Sequence, residues 1–547
     1  MNLKKTQSKR RQAIALTIML VVIIGAMVTV LHAQSCRTDS LPADPQAAVS
    51  PGQTNGDAGG AQETPAGFSG RSYEPEGAPQ HLSSYDMELV LDAGAKTLTG
   101  TMTVSFYNGY AEALDQLGFH LYPNAYSAMQ TAPFEPTDYE RAYPNGFSPG
   151  NISVHAVRSA AGENLGVRFD TRGDQMMYVK LKSPVQPQQR AVVEIAFSVA
   201  IPNCYGRFGY GEHSIDLAQF YPVLAVYENG AWRDDEYGPI GDPFYSETAD
   251  YRVRLTVPRA YEIGSTGVLL SRKEEGGFAR YIFDAPAVRD YAFFASDQYK
   301  RYEATTDGGV KVISLGWDRD GAKRALDAAA ASIELFSHQF GAYPYKEFTI
   351  TQNDFYIGGM EYPNIVQMDA RLYDKDNAEA LEMVTAHEVA HQWWYQLVGN
   401  DQVNEPWLDE ALTQYSTNLY YRLRYGPEQE TGRWVSEATV YEVWYGQGHL
   451  GRALQGDPID LPAEDYPNSL VYSALVYSRG AMMFRDLERE LGEEVFRDAL
   501  RLYYNRLRYY NATRVSLYEA VKDAAGKDMA PWIDGYLRRG GILSGAA

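Results

Sequence analysis

The sequence predicts an α+β protein of more than one domain: an N-terminal antiparallel β domain followed by a mainly helical domain built around a metal site. Three observations carry this. Short runs alternating apolar and polar residues dominate as far as about residue 303, helical spacing takes over from Gly321, and His387, His391 and Glu410 fall within the helical part. The stretch from residue 81 onward is too long for one compact core, which places a boundary between 81–303 and 304–547.

At the N-terminus, residues 1–12 hold Lys4, Lys5, Lys9, Arg10 and Arg11 and no acid, and Ala13 to Leu31 carries no charge. That length spans a bilayer, and the basic flank stays on the cytoplasmic side. A transmembrane signal anchor is therefore expected at 13–33, giving a single-pass protein of the cell membrane whose domains lie outside the cytoplasm. A cleaved signal peptide ending near Leu31-His32-Ala33, and hence a secreted protein, is the alternative. Residues 34–80, rich in Pro, Gly, Ala, Ser and Gln, read as a disordered stalk.

Within 81–303, Met87 to Asn108 alternates around Asp92-Ala93-Gly94 as a hairpin does, and further strands are expected at Met177–Leu181, Val192–Ile201 and Tyr251–Pro258. Beyond it, a helix is expected from Ala322 to Phe340, stopped by Gly341. A second runs from Ala378 to Val398, with Asn377 as its N-cap and Gly399 as its stop. Asn404-Glu405-Pro406 opens a third that Gly426-Pro427 closes, and Glu493–Arg506 and Val515–Ala524 pack around it. The chain shows no internal repeat.

A formal charge of −21 excludes a nucleic-acid partner. With two cysteines, Cys36 and Cys204, the chain has no disulfide framework and no thiolate metal ligands.

The chemistry lies in His387-Glu388-Val389-Ala390-His391 and, after a gap of 18 residues, Glu410. On a helix, positions i and i+4 share a face, so His387 and His391 grip one ion, while Glu388 flanks the place of an attacking water. A catalytic zinc takes three protein ligands and leaves one position open, and Glu410 is the natural third. Upstream, the pair Gly358-Gly359 lets a peptide backbone approach an exposed strand edge, and the carboxylate of Glu361 beyond Met360 suits an ammonium group.

HEVAHQWW, the gap, WLDEALTQY and Gly358-Gly359-Met360-Glu361-Tyr362 together resemble the aminopeptidase N family of zinc peptidases, from about Ser84 to the C-terminus. The resemblance implies a saddle-like β domain before a thermolysin-like catalytic domain. It implies one zinc per chain on His387, His391 and Glu410, Glu388 as general base, and peptide substrates whose amino terminus Glu361 holds. It also implies an oxyanion-binding tyrosine before a basic-Gly motif, matched by Tyr477 in Val476-Tyr477-Ser478-Arg479-Gly480, with Tyr472 as the alternative. Larger members carry a further helical domain over the cleft; the chain stops before it, so an open cleft is expected.

Two positions depart from the family pattern. Tyr362 replaces the usual Asn, and Tyr221 in Gln219-Phe220-Tyr221-Pro222 stands where a second amine-binding acid or amide is usual. Gln219, or an acid between Glu228 and Glu236, is expected to substitute. The expected function is removal of N-terminal residues from peptides outside the cytoplasm. A zinc endopeptidase or other hydrolase on the same scaffold, or a non-catalytic surface binding protein, are the alternatives.

Overall fold

The computed structural model describes residues 70–448 and 457–538. The basic segment and the expected anchor at 13–33 lie outside these residues. Among the described residues no helix is long and apolar enough to cross a membrane. The expected placement in the cell membrane, with the bilayer as partner, is corrected on this ground. Among the long helices, Arg319–Phe340 buries one stripe and leaves the other charged, with Asp320, Lys323, Asp327 and Glu334.

The end of the expected stalk is an ordered strap. Arg71 Nε donates to Asp250 Oδ1 over 2.8 Å, the Ser72 amide donates to Asp284 Oδ2 over 2.6 Å, and Tyr509 Oη donates to the Glu76 carbonyl over 2.9 Å. These polar contacts fasten it together with Tyr73 and Ala78, which pack against the core; so few apolar groups are involved that composition reads it as unfolded.

The N-terminal part is built on a sheet of seven strands, with Ser83–Asp92 and Thr97–Tyr107 adjacent at its middle. They form the expected hairpin, whose turn is held by Asp92 Oδ1 accepting from the amides of Gly94 and Ala95. The sheet departs from pure antiparallel pairing at one place, where Ser83–Asp92 runs parallel to Ala249–Pro258. The long intervening chain supplies the crossover that a parallel pair needs.

The strand Lys300–Thr305 pairs with Lys311–Gly316 in a second, five-stranded sheet that ends in the edge strand Gly359–Met360. The expected boundary at 303 therefore cuts a strand of this sheet. Helix α1 (Arg319–Phe340) starts on the Asp318 carboxylate, which accepts from the Gly321 amide, and stops at Gly341, where φ is 145°.

Helix α2 (Ala378–Ala390) is shorter than its apolar pattern suggests. After Ala390 the chain turns tightly, and Val398–Asn400 pairs parallel with Tyr510–Ala512. Trp393, Trp394 and Leu397 are buried without helical geometry, so tertiary packing overrides periodicity there. Asn377 does not cap α2; its side-chain amide donates to the Arg371 carbonyl instead. Helix α3 (Trp407–Tyr425) and helix α4 (Pro427–Gly448) follow. After a π-helical turn (Ser473–Arg479) come α5 (Gly480–Leu491), α6 (Glu493–Leu507), α7 (Arg514–Ala525) and α8 (Ala530–Leu537).

One apolar core runs through both parts. Arg289, almost wholly buried, joins them: its Nε donates to the Tyr395 carbonyl and Nη1 to the Ser246 carbonyl, each over 2.8 Å.

Candidate active site

Helix α2 presents His387, and His391, the residue that caps its end, follows one turn on; the first turn of α3 presents Glu410 to them. His387 Nε2 and His391 Nε2 lie 3.2 Å apart, and Glu410 Oε2 lies 3.4 and 3.3 Å from them respectively. Three tetrahedral ligands bonded about 2.0 Å from one ion stand about 3.3 Å from each other, so the triangle matches the size zinc requires. Its far side is braced: His391 Nδ1 faces the Trp394 carbonyl at 3.0 Å and Thr413 Oγ1 at 3.2 Å, which leaves Nε2 free to ligate. Glu410 Oε2 and Glu388 Oε2 are buried without a hydrogen-bond partner. Two imidazoles, a carboxylate and a vacant acceptor form a donor set that fits zinc.

Glu388 lies beneath the edge strand Gly359–Met360. A Cβ on Gly359 would stand 2.5 Å from Glu388 Oε1, so the absence of a side chain there lets strand and carboxylate approach. Burial raises the Glu388 carboxyl to about 8 against the opposing charge of His391, within the range where a carboxylate exchanges protons near neutral pH. The same strand pairs on one side with Ile365–Asp369 and is open on the other. Gly358 reaches it with φ at 25°.

Tyr477 sits in the π-helical turn. Its ring stacks on His387 with centroids 5.7 Å apart, and its hydroxyl donates to Glu410 Oε1. The Tyr472 ring packs edge-on against it at 5.8 Å, with a buried hydroxyl that takes no hydrogen bond.

Glu361 is 3% exposed, and Gln402 Nε2 donates to its Oε1 over 3.3 Å. Gln402 also donates to Asp409 Oδ2 over 2.9 Å, tying Glu361 to the residue before Glu410. Carboxylate oxygens of Glu361, Glu410 and Asp242 all lie within 4.8 Å of one another. Burial raises all three neighbouring acids: Glu361 well above its usual range, Asp409 to about 7 and Asp242 to about 6.

Asp242 was not foreseen. It reaches the site from the β domain and accepts from Arg207 Nη2, whose Nε faces Met360 Sδ at 3.2 Å. Gln219 does not take part as expected: its amide nitrogen donates to Asp290, which also accepts from Tyr221 Oη over 2.9 Å in the buried core. The acids expected to substitute are committed elsewhere, Glu228 and Asp235 to Arg233, and Asp234 and Glu236 to Arg172. No motif surrounds Asp242, and its partner Arg207 is distant in sequence, so only the fold brings it to Glu361.

Comparison with known proteins agrees with this geometry. Residues 324–536 match the Peptidase family M1 domain. Aminopeptidase 2, mitochondrial, of Saccharomyces cerevisiae is 29% identical over 230 residues, covering 40% of this chain and 24% of the relative. Aminopeptidase N of Lactococcus lactis subsp. lactis is 28% identical over 233 residues, covering 40% of this chain and 26% of the relative. The match thus spans about a quarter of the length of these curated relatives. The crystal structure of an M1 zinc metallopeptidase from Deinococcus radiodurans superposes with a TM-score of 0.59 at 17% identity, covering 85% of this chain and 96% of that one, which extends the likeness of fold through both parts. The candidate triangle lies inside the matched stretch, so residues 324–536 of this chain are similar to the domain of peptidase family M1, the family of zinc metallopeptidases that includes the aminopeptidase N relatives.

Proposed function

We propose that this chain is a zinc aminopeptidase in which Glu361 and Asp242 receive the free amino terminus of a peptide. The observation that carries the reading is the closeness of two cation-binding clusters sharing Glu410: His387, His391 and Glu410 for a metal, and Asp242, Glu361 and Glu410 beside it for an ammonium. Adjacent sites fix the distance from the terminal amine to the first peptide carbonyl, which is what distinguishes removal of a terminal residue from internal cleavage.

His387, His391 and Glu410 would hold the zinc ion, which when bound would supply Lewis acidity for the hydrolysis. Glu388 takes the proton of that water and delivers it to the leaving amine. Tyr477 donates its phenolic proton in a hydrogen bond to the developing oxyanion, leaving Glu410 to do so. The open edge of Gly359–Met360 aligns the peptide backbone by strand addition. Arg207 neutralises part of the acidic cluster and keeps Asp242 turned toward Glu361.

The departures at Tyr221 and Tyr362 give little support to an endopeptidase reading, because both side chains are wholly buried, Tyr362 against Phe294. The test is metal-dependent hydrolysis of a free-amine peptide by the wild type, with Glu388→Gln as the comparison. The variant is expected to bind zinc in full and to lose about 10²- to 10⁴-fold in kcat. Full turnover by Glu388→Gln would remove the general base and the reading with it.

A further inference from the structure

The π-helical turn is where the site departs most from regular structure, and such turns, which widen a helix at a cost, recur at functional sites. Here it carries Tyr477 out onto His387 and Glu410. What holds it is a buried carboxylate on another helix. Glu437 of α4 is 4% exposed, and both its oxygens are engaged: Oε2 accepts from Ser478 Oγ over 2.8 Å, and Oε1 accepts from Gln414 Nε2.

Ser478 is the residue after Tyr477. Gln414 lies one turn beyond Glu410 on α3, and its amide is within hydrogen-bonding reach of His387. Among the described residues, Glu437 forms no ion pair with Lys, Arg or His. A carboxylate is costly to bury without a cation, and two neutral donors repay only part of that. A neutral glutamine would tie two helices at lower cost. Its two oxygens instead hold the residue that follows Tyr477 and a glutamine within reach of His387.

We propose that Glu437 is a positioning residue for the proposed reaction, fixing the Tyr477 hydroxyl relative to His387 and Glu410. The inference rests on the role given above to Tyr477. It assigns to α4, which supplies no group to the metal or the substrate, control over how the oxyanion donor is placed.

The experiment is a double-mutant cycle with Glu437→Gln and Tyr477→Phe, read as kcat and KM on a free-amine peptide. It is joined to a crystal structure of zinc-loaded Glu437→Ala and to zinc content by atomic absorption. Glu437→Gln is expected to lower kcat about 10- to 100-fold, the scale of outer-shell changes at metal sites, with KM nearly unchanged and zinc retained. In the Tyr477→Phe background the same change is expected to cost less than about threefold, because the group it positions is gone. In the Glu437→Ala structure the Tyr477 hydroxyl is expected to have left Glu410. Costs that simply multiply in the double variant, or a Tyr477 hydroxyl still on Glu410 without the Glu437 carboxylate, would overturn the proposal. Full turnover by Tyr477→Phe alone would instead remove the role given to Tyr477, and the crystal structure would still decide whether Glu437 holds that side chain in place.

Discussion

Asp242 and Tyr477 reached the site by opposite routes. Tyr477 stands in a short motif and was legible as a string. Asp242 stands in an irregular segment with no pattern, and became visible only when the fold set it against Glu361 and Arg207. The histidine pair of the candidate triangle was legible because helical spacing dictates it, and Glu410 as the acid after the gap; the second acid of the proposed amine site was not, because it depends on a contact between parts far apart in sequence. Two residue-level outcomes follow. Asp242→Asn is expected to raise KM for free-amine peptides about tenfold, close to 1.4 kcal/mol, with a smaller change in kcat, since it removes ground-state binding. Tyr477→Phe is expected to lower kcat about 10²- to 10³-fold with zinc content intact, as loss of one oxyanion donor does. Steady-state kinetics beside metal analysis separates the two, and an unchanged KM in Asp242→Asn would remove that residue from the amine site.

Among the elements, the regular helices and the first hairpin were readable from apolar spacing and turn residues. The end of α2 was not, because Trp393 to Val398 is apolar but for Gln396 and carries no period that distinguishes helix from tight turns. What fixes the chain there is Arg289 from the β domain. Its guanidinium holds the carbonyl of Tyr395, a residue forced to φ of 121°, and lies where a Cβ on Gly399 would stand, 2.1 Å from Cζ. This ties the end of the metal-binding helix to the other part of the molecule. Arg289→Leu is expected to cost about 3 kcal/mol, since it strands several buried carbonyls, and Gly399→Ala is expected to destabilise through the same contact. Denaturant unfolding measures both; a midpoint unchanged in either would show that the joint bears no load.

For the molecule as a whole, buried titratable groups set how stability varies with pH. His120, 3% exposed and stacked on Tyr122, has its pKa lowered to about 3 by burial, with Arg233 and Arg172 adding to the effect. Unfolding restores a value near 6.5, so the unfolded chain binds the extra proton between about pH 3 and 6.5 and stability falls as pH drops through that window, by up to about 1.4 kcal/mol per unit. Asp290 has the opposite sign: burial raises it to about 6, so its contribution is present in acid and is lost as pH rises from about 4 through 6. Comparing the unfolding free energy of wild type and His120→Gln across pH isolates the first. The wild type should lose ground to the variant below pH 6.5, and parallel curves would contradict the burial of a neutral imidazole.

In the proposed function the two parts of the molecule meet at the substrate's amino terminus, with Glu361 from one and Asp242 from the other. The most direct measurement is hydrolysis of one peptide series with free and with acetylated amino termini by the zinc-loaded protein, with Glu388→Gln as the blank. Cleavage confined to the free series, and lost in part on Asp242→Asn, is the predicted result. Equal cleavage of both series would contradict it, because a site that ignores the amine has no use for the paired carboxylates.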